Sequence, residues 1–199
     1  MPSVLFVCTG NICRSPMAEG LLREHLRHRF PEKPFEVSSA GLIAVDGHRA
    51  MLEAVRAAEE READISEHRA RRLRPEHVEA ADLVIGMAVE HVEAVYEMVP
   101  DAAGKLFTLR ELVEILKALP PLDDPRALDD GRFRDRVAEA AARRRVAPPP
   151  PYDLDIADPL GMPFETYRAT AWQLDNLLGQ LIEGIAGRQP ARTSMWEDE

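Results

Sequence analysis

Val4-Leu5-Phe6-Val7-Cys8-Thr9-Gly10-Asn11-Ile12-Cys13-Arg14-Ser15-Pro16-Met17-Ala18-Glu19 is the stretch that decides how this chain folds. Four consecutive apolar residues read as a short buried strand. A polar loop with one glycine, two cysteines and an arginine follows. Pro16 suits the first turn of a helix, and Met17, Leu21, Leu22, Leu26 and Phe30 then recur at helical spacing. A strand running through such a loop into a helix aims backbone N–H groups and the positive end of a helix dipole at one point. That point suits a phosphate.

The residue types inside the loop sharpen this reading. Cys8 stands where the strand ends, and Arg14 lies beside the helix start. Inward N–H groups, a helix N-terminus and a guanidinium all favour a thiolate over a thiol. The planar fork of Arg14 can grip two phosphoryl oxygens together. Gly10 is expected to let the loop turn where a side chain would clash, and Asn11 tolerates left-handed backbone angles. Ser15 is placed to donate its hydroxyl to the sulfur when that sulfur becomes a leaving group. The bland alternative for Cys8 is a small buried hydrophobe at a strand end.

Taken whole, the string resembles the low-molecular-weight protein tyrosine phosphatase family, whose signature is a strand, then C-x5-R-S, then a helix. Ser39-Ala40-Gly41, Asp64-Ile65-Ser66-x-His68-x-Ala70-Arg71, Ala81-Asp82-Leu83-Val84 and Met87 extend the likeness in the same order. The resemblance implies a three-layer α/β sandwich with a four-stranded parallel sheet in the order 2-1-3-4. It implies a phosphate loop made of Thr9, Gly10, Asn11, Ile12, Cys13, Arg14 and Ser15, with Cys8 as nucleophile. It also implies that His68 and Ser39 hydrogen-bond to Asn11 and hold the loop in shape.

Outward from the loop, the chain alternates strand and helix. Phe35 to Ser38 reads as a second strand and Gly47 to about Glu62 as a helix. Residues 64–71 read as a loop, Pro75 to Ala80 as a short helix and Asp82 to Gly86 as a third strand. Val89, Val92, Val95 and Tyr96 mark another helix, Lys105 to Thr108 a fourth strand, and Leu109 to Lys117 a helix. Such alternation means βαβ units and a parallel sheet covered on both faces, with ligands bound beyond the carboxyl ends of the strands.

Residues 118–157 break the rhythm. Seven of the sixteen prolines fall here, around a charged, alanine-rich helical stretch from Arg132 to Val146. The family passes this point more directly, so the segment is expected to be an insertion, either a mobile surface excursion or a lid or docking arm beside the active site. Phe164, Tyr167, Ala171, Leu174, Leu178, Leu181 and Ile185 then trace the buried face of a last helix. Residues 1–187 read as a single catalytic domain, and 188–199 as a frayed tail.

The family draws its proton donor from an Asp-Pro pair. Two are present, Asp124-Pro125 and Asp158-Pro159; Asp158 is preferred because Pro159-x-Gly161 and the last helix follow it as in the family. By the same resemblance Cys13 is near enough to Cys8 for a transient protective disulfide, or else it is a small residue packed under the loop. Ile12 matches members acting on phosphotyrosine, whereas the protein-arginine phosphatases carry threonine there. Val45-Asp46 and Leu160 stand where aromatic walls often flank a phosphotyrosine ring; Tyr152 or Phe164 are candidates to replace them.

Composition bounds the rest. The net charge of −10 speaks against a broad nucleic-acid surface. No apolar run approaches the roughly 18 residues of a membrane span, and Met1 leads straight into the first strand, so no membrane insertion and no signal peptide are expected. Free thiols match a reducing, cytoplasmic setting. No His/Asp/Cys cluster has metal-ligand spacing, so neither metal nor other cofactor is expected. The expected partner is a phosphorylated protein, carrying phosphotyrosine from a cognate kinase, or a small phosphomonoester. Rival readings are a protein-arginine phosphatase, an arsenate reductase (which lacks its extra resolving cysteines here) and a non-catalytic phospho-partner module. A dinucleotide site is disfavoured by the single glycine of the first loop.

Overall fold

The computed structural model describes residues 1–120, 122, 129–145 and 153–187. Strand β1 (Ser3–Cys8) lies in the middle of a parallel sheet, flanked by β2 (Glu36–Gly41) and β3 (Leu83–Gly86), with β4 (Leu106–Thr108) outside β3. The order is therefore β2-β1-β3-β4, as expected. The register pairs Cys8 with Gly41 and Val7 with Gly86, so all the strands end near the phosphate loop.

Alternation along β1 sorts its side chains between two layers. Val4, Phe6 and Cys8 join the larger core, where α1 (Arg14–Arg29), α2 (Leu52–Glu59), α5 (Leu109–Lys117) and α7 (Phe164–Ala186) cover one face. Leu5 and Val7 face a smaller core with Val78 of α3 (Pro75–Ala80) and Val95 of α4 (Val89–Met98). The Met17, Leu21, Leu22, Leu26 and Phe30 stripe is buried throughout. The face predicted for α7 is buried from Tyr167 to Ile185; Phe164, at its start, is half-buried.

Two expectations change. The helix expected from Gly47 begins only at Leu52, because residues 47–51 form a turn and a β-bridge. Gly47 has φ +85°, its N–H donates to the Ala70 carbonyl, and Arg49 bridges Arg69. Leu52, the first residue of the shortened helix, is 70% exposed. The second change concerns the 118–157 segment. Its helix α6 (Asp130–Arg144) is neither a surface excursion nor a lid. Phe133 is buried beside Val4 and Leu83, at the amino ends of β1 and β3 and opposite the phosphate loop. Arg136 is buried and donates to the carbonyls of Gly184 and Pro120, and Arg144 lies over the Phe107 ring. The expected tail, 188–199, lies outside the described residues.

Candidate active site

The loop from Cys8 to Ser15 is held from beneath by side chains. Asn11 has φ 55°, in the left-handed region that short polar side chains tolerate. Its amide uses every polar position: Nδ2 donates to Ser15 Oγ (2.9 Å) and Ser39 Oγ (2.7 Å), and Oδ1 accepts from the Arg71 N–H (2.9 Å). Ser39 in turn donates to Glu19. His68 Nε2 lies 2.9 Å from the Asn11 carbonyl. A carbonyl only accepts, so His68 carries a proton there; burial holds its pKa below the ordinary histidine value. Ser39 and His68 thus sit against Asn11 where the resemblance placed them. Glu19 and Arg71 complete the support, although nothing in the residue pattern assigned them that part.

The glycine that the loop needs is a different one. A Cβ on Gly10 would meet only Ile12, at ordinary contact distance. A Cβ on Gly41 would lie 2.8 Å from both the Asn11 nitrogen and the Thr9 carbonyl oxygen. The end of β2 therefore presses against the loop, and its close approach requires Gly41.

At the centre, Cys8 Sγ accepts from the Asn11 N–H at 3.3 Å and lies 2.9 Å from Ser15 Oγ. Because the Asn11 amide already donates to Ser15, the serine proton is free to point at the sulfur. Cys13 is buried under the loop; burial pushes its thiol up to about 12, so it stays protonated. Tyr167 of α7, its hydroxyl also pushed to about 12 chiefly by burial, is its neighbour there. Both cysteines are free.

Arg14 is 5% exposed, and its guanidinium faces the mouth of the site. Its Nη1 donates to the Ile156 carbonyl (3.1 Å) and its Nη2 to Asp158 Oδ2 (2.6 Å). Asp158 is thus beside the loop; Asp124, the other Asp-Pro aspartate, lies outside the described residues. The segment carrying Asp158 reaches back further than the Asp-Pro motif indicated. Ile156 is buried and donates its N–H to the Met87 carbonyl, while Asp155 Oδ1 accepts from the Val89 N–H (2.8 Å). Below that turn lies His91, which the residue pattern did not single out. It is fully buried, with Nε2 3.0 Å from Thr9 Oγ1. Burial and then the Arg14 charge bring its pKa down to about 4. Its one sequence signal is weak: it stands four residues before Val95, on the buried face of α4.

Exposed aliphatic side chains follow β2 and Asp158 along the chain. Ile43, whose N–H donates to the Thr9 carbonyl, is exposed, as are Val45, Leu160 and Met162. Phe164 does not supply an aromatic wall: its ring packs on the core under the Arg56 guanidinium at 4.4 Å. Tyr152 lies outside the described residues. Among the described residues, no group of three or more His, Cys, Asp or Glu could hold a metal, and no helix is long and apolar enough to cross a membrane.

A strand–loop–helix with a cradled cysteine and a buried arginine suits the binding of a phosphoryl group, and comparisons with known proteins place the chain among phosphatases. The model of the low molecular weight phosphotyrosine protein phosphatase family matches residues 3–145. A protein-arginine-phosphatase of Geobacillus stearothermophilus is 33% identical over 94% of this chain and 97% of its own. A probable low molecular weight protein-tyrosine-phosphatase EpsP of Ralstonia solanacearum is 36% identical over 68% of this chain and 86% of its own. The crystal structure of a low molecular weight protein tyrosine phosphatase from T. tengcongensis superposes with a TM-score of 0.67 at 36% identity, covering 92% of this chain and 99% of that one. This chain belongs to the low molecular weight phosphotyrosine protein phosphatase family, and it is a phosphatase.

Proposed function

We propose that the protein hydrolyses phosphotyrosine in proteins through a phosphocysteine on Cys8, with Asp158 as the proton donor. The observation that carries this is the loop itself: Cys8 Sγ sits among the Asn11 N–H, the Ser15 hydroxyl and the start of α1, with Arg14 and Asp158 at the mouth. Arg14 and the N–H groups of Thr9 to Ser15 bind the phosphoryl oxygens and stabilise their charge as it shifts in the transition state. The Cys8 thiolate attacks phosphorus in line. Asp158 protonates the departing phenolic oxygen, then takes a proton from the water that hydrolyses the phosphocysteine. Ser15 donates to the sulfur as it leaves.

Ile12 and the exposed aliphatic side chains support tyrosine. A phenyl ring gains from packing on Ile43, Val45 and Leu160, whereas a phosphorylated guanidine must find hydrogen-bond partners for its remaining N–H groups there. A second reading, phosphoarginine, is favoured by one observation: the arginine phosphatase matches 94% of the chain, the EpsP tyrosine phosphatase 68%. In this proposal residues 1–187 act as one catalytic domain in the cytoplasm, opposing a cognate kinase, and use no cofactor.

The test is phosphate release from matched phosphotyrosine and phosphoarginine peptides, with Cys8→Ser as the blank. We expect Cys8-dependent release from phosphotyrosine, and a loss of at least ~10³-fold in the variant while phosphate still binds. Preference for phosphoarginine overturns the substrate assignment, and turnover by Cys8→Ser overturns the mechanism.

A further inference from the structure

The proposed mechanism leaves one buried polar group beside the loop without a task. His91 has no exposed surface, its Nδ1 has no hydrogen-bond partner, and its Nε2 meets Thr9 Oγ1 at 3.0 Å. Thr9 Oγ1 in turn lies 3.4 Å from Arg14 Nη2, the nitrogen that holds the Asp158 oxygen. The Thr9 hydroxyl therefore borders the position where an anionic oxygen already rests on Arg14.

Which way its proton points depends on the imidazole. A neutral ring has one N–H. With that proton on Nδ1, a buried N–H is left with no acceptor, and the Thr9 proton is consumed by Nε2. With the proton on Nε2, the orphan is only a lone pair, and Nε2–H donates to Thr9 Oγ1. Orphaned buried donors are the rarer arrangement in proteins. Glu90 Oε1, 3.5 Å from Nε2, adds a negative charge on the same side. Both observations favour Nε2–H. Thr9 Oγ1 then accepts from His91 and from Arg14, which fills its two lone pairs and leaves its own proton free.

We infer that His91 is a positioning residue: it fixes the Thr9 side chain so that the hydroxyl proton is aimed at the bound phosphoryl group, making Thr9 Oγ1–H a phosphoryl ligand beside Arg14. The inference rests on the phosphatase reading for its ligand but not on the identity of the phosphorylated side chain. The donor acts on a charged oxygen, where one hydrogen bond changes affinity by about tenfold.

Two measurements test it. The first is the nitrogen chemical shifts of His91 at pH 7 with inorganic phosphate bound. A proton on Nε2 is expected, and a proton on Nδ1 overturns the proposal. The second is phosphate affinity together with kcat/KM for Thr9→Val, His91→Phe, the double variant and His91→Gln. Thr9→Val should lose about tenfold in both quantities. His91→Phe should lose a similar factor alone and almost nothing in the Thr9→Val background, and His91→Gln, whose amide N–H can replace Nε2–H, should recover most of it. A His91→Phe loss that persists undiminished in the Thr9→Val background makes the histidine merely structural. Unchanged phosphate affinity in Thr9→Val overturns the proposal even if His91→Phe does not fold. Because phosphate binding is read without turnover, an inactive wild-type protein sinks the phosphatase reading and not this one.

Discussion

The two sides of the proposed site are built in opposite ways. On the phosphate side, Asn11 alone makes five hydrogen bonds, counting those of its main chain to Cys8 and His68, and its partners come from β1, α1, β2 and the 64–71 loop. Gly41 closes the space behind it. On the acid side, residues 153–158 are anchored by the buried Ile156, two hydrogen bonds to the turn before α4 and the guanidinium of Arg14, while the Asp158 side chain is 43% exposed. The difference follows the work each side is given. Groups that stabilise phosphoryl charge must be in place beforehand, since reorganising them during the reaction raises the barrier. A group that both gives and takes a proton needs room and access to water.

Removing one side at a time should separate binding from proton transfer. The largest effect is expected from Asp158→Asn, which keeps the shape and removes the proton. Its kcat on an aryl phosphate with a poor leaving group should fall by about 10²–10⁴-fold, with little change on a substrate whose leaving group needs no proton. Equal losses on both would place Asp158 in binding instead. Next comes Asn11→Ala, which strands the Arg71 N–H, removes the donor that Ser39 and Ser15 accept from, and forces alanine into a left-handed backbone. A loss of about 3 kcal/mol in urea unfolding is expected, with phosphate affinity falling alongside it; unimpaired phosphate binding would show the loop is held by β2 and α1 without Asn11.

The smallest effect is electrostatic and lies where the two sides meet. His91 faces Arg14, Asp155, Asp158 and Glu90, and its pKa is about 4 in the folded protein against an ordinary 6.5. Between these values the unfolded chain binds a proton that the native protein refuses. Stability is therefore complete above pH 6.5 and is lost as pH falls toward 4, by up to about 3 kcal/mol. Urea midpoints measured across that window should fall more steeply for wild type than for His91→Gln; parallel curves would assign the acid sensitivity to other groups.

What could be read from residues alone was whatever is local. The β1–loop–α1 unit is legible because strand, turn and helix signals are consecutive, and the stripe from Met17 to Phe30 repeats at one helix period. The start of α2 is not, because Met51, Leu52, Val55 and Ala58 keep helical spacing whether or not Gly47 to Met51 is drawn into bridges with residues 69–70. The need for Gly41 rather than Gly10 depends on how close β2 lies to the loop, which no window of sequence contains. His91 and Tyr167 act across distances of 82 residues (to Thr9) and 154 residues (to Cys13), and each looks locally like an ordinary core position. For α6 the composition indicates a helix, but its destination at the amino end of the sheet is set by Phe133 and Arg136 finding partners in β1, β3 and α7.

The contact between Arg14 and Asp158 has a consequence for product release. An aspartate oxygen rests on the arginine nitrogen that receives a phosphoryl oxygen in the proposed mechanism, so the site carries its own tethered rival to an oxyanion. In the proposed mechanism substrate displaces it on entry, and after hydrolysis the same carboxylate returns and helps expel phosphate. Affinity is surrendered in exchange for a site that does not stay filled with product. Asparagine at that position ends the rivalry, so Asp158→Asn should retain phosphate longer than wild type even as it turns over less.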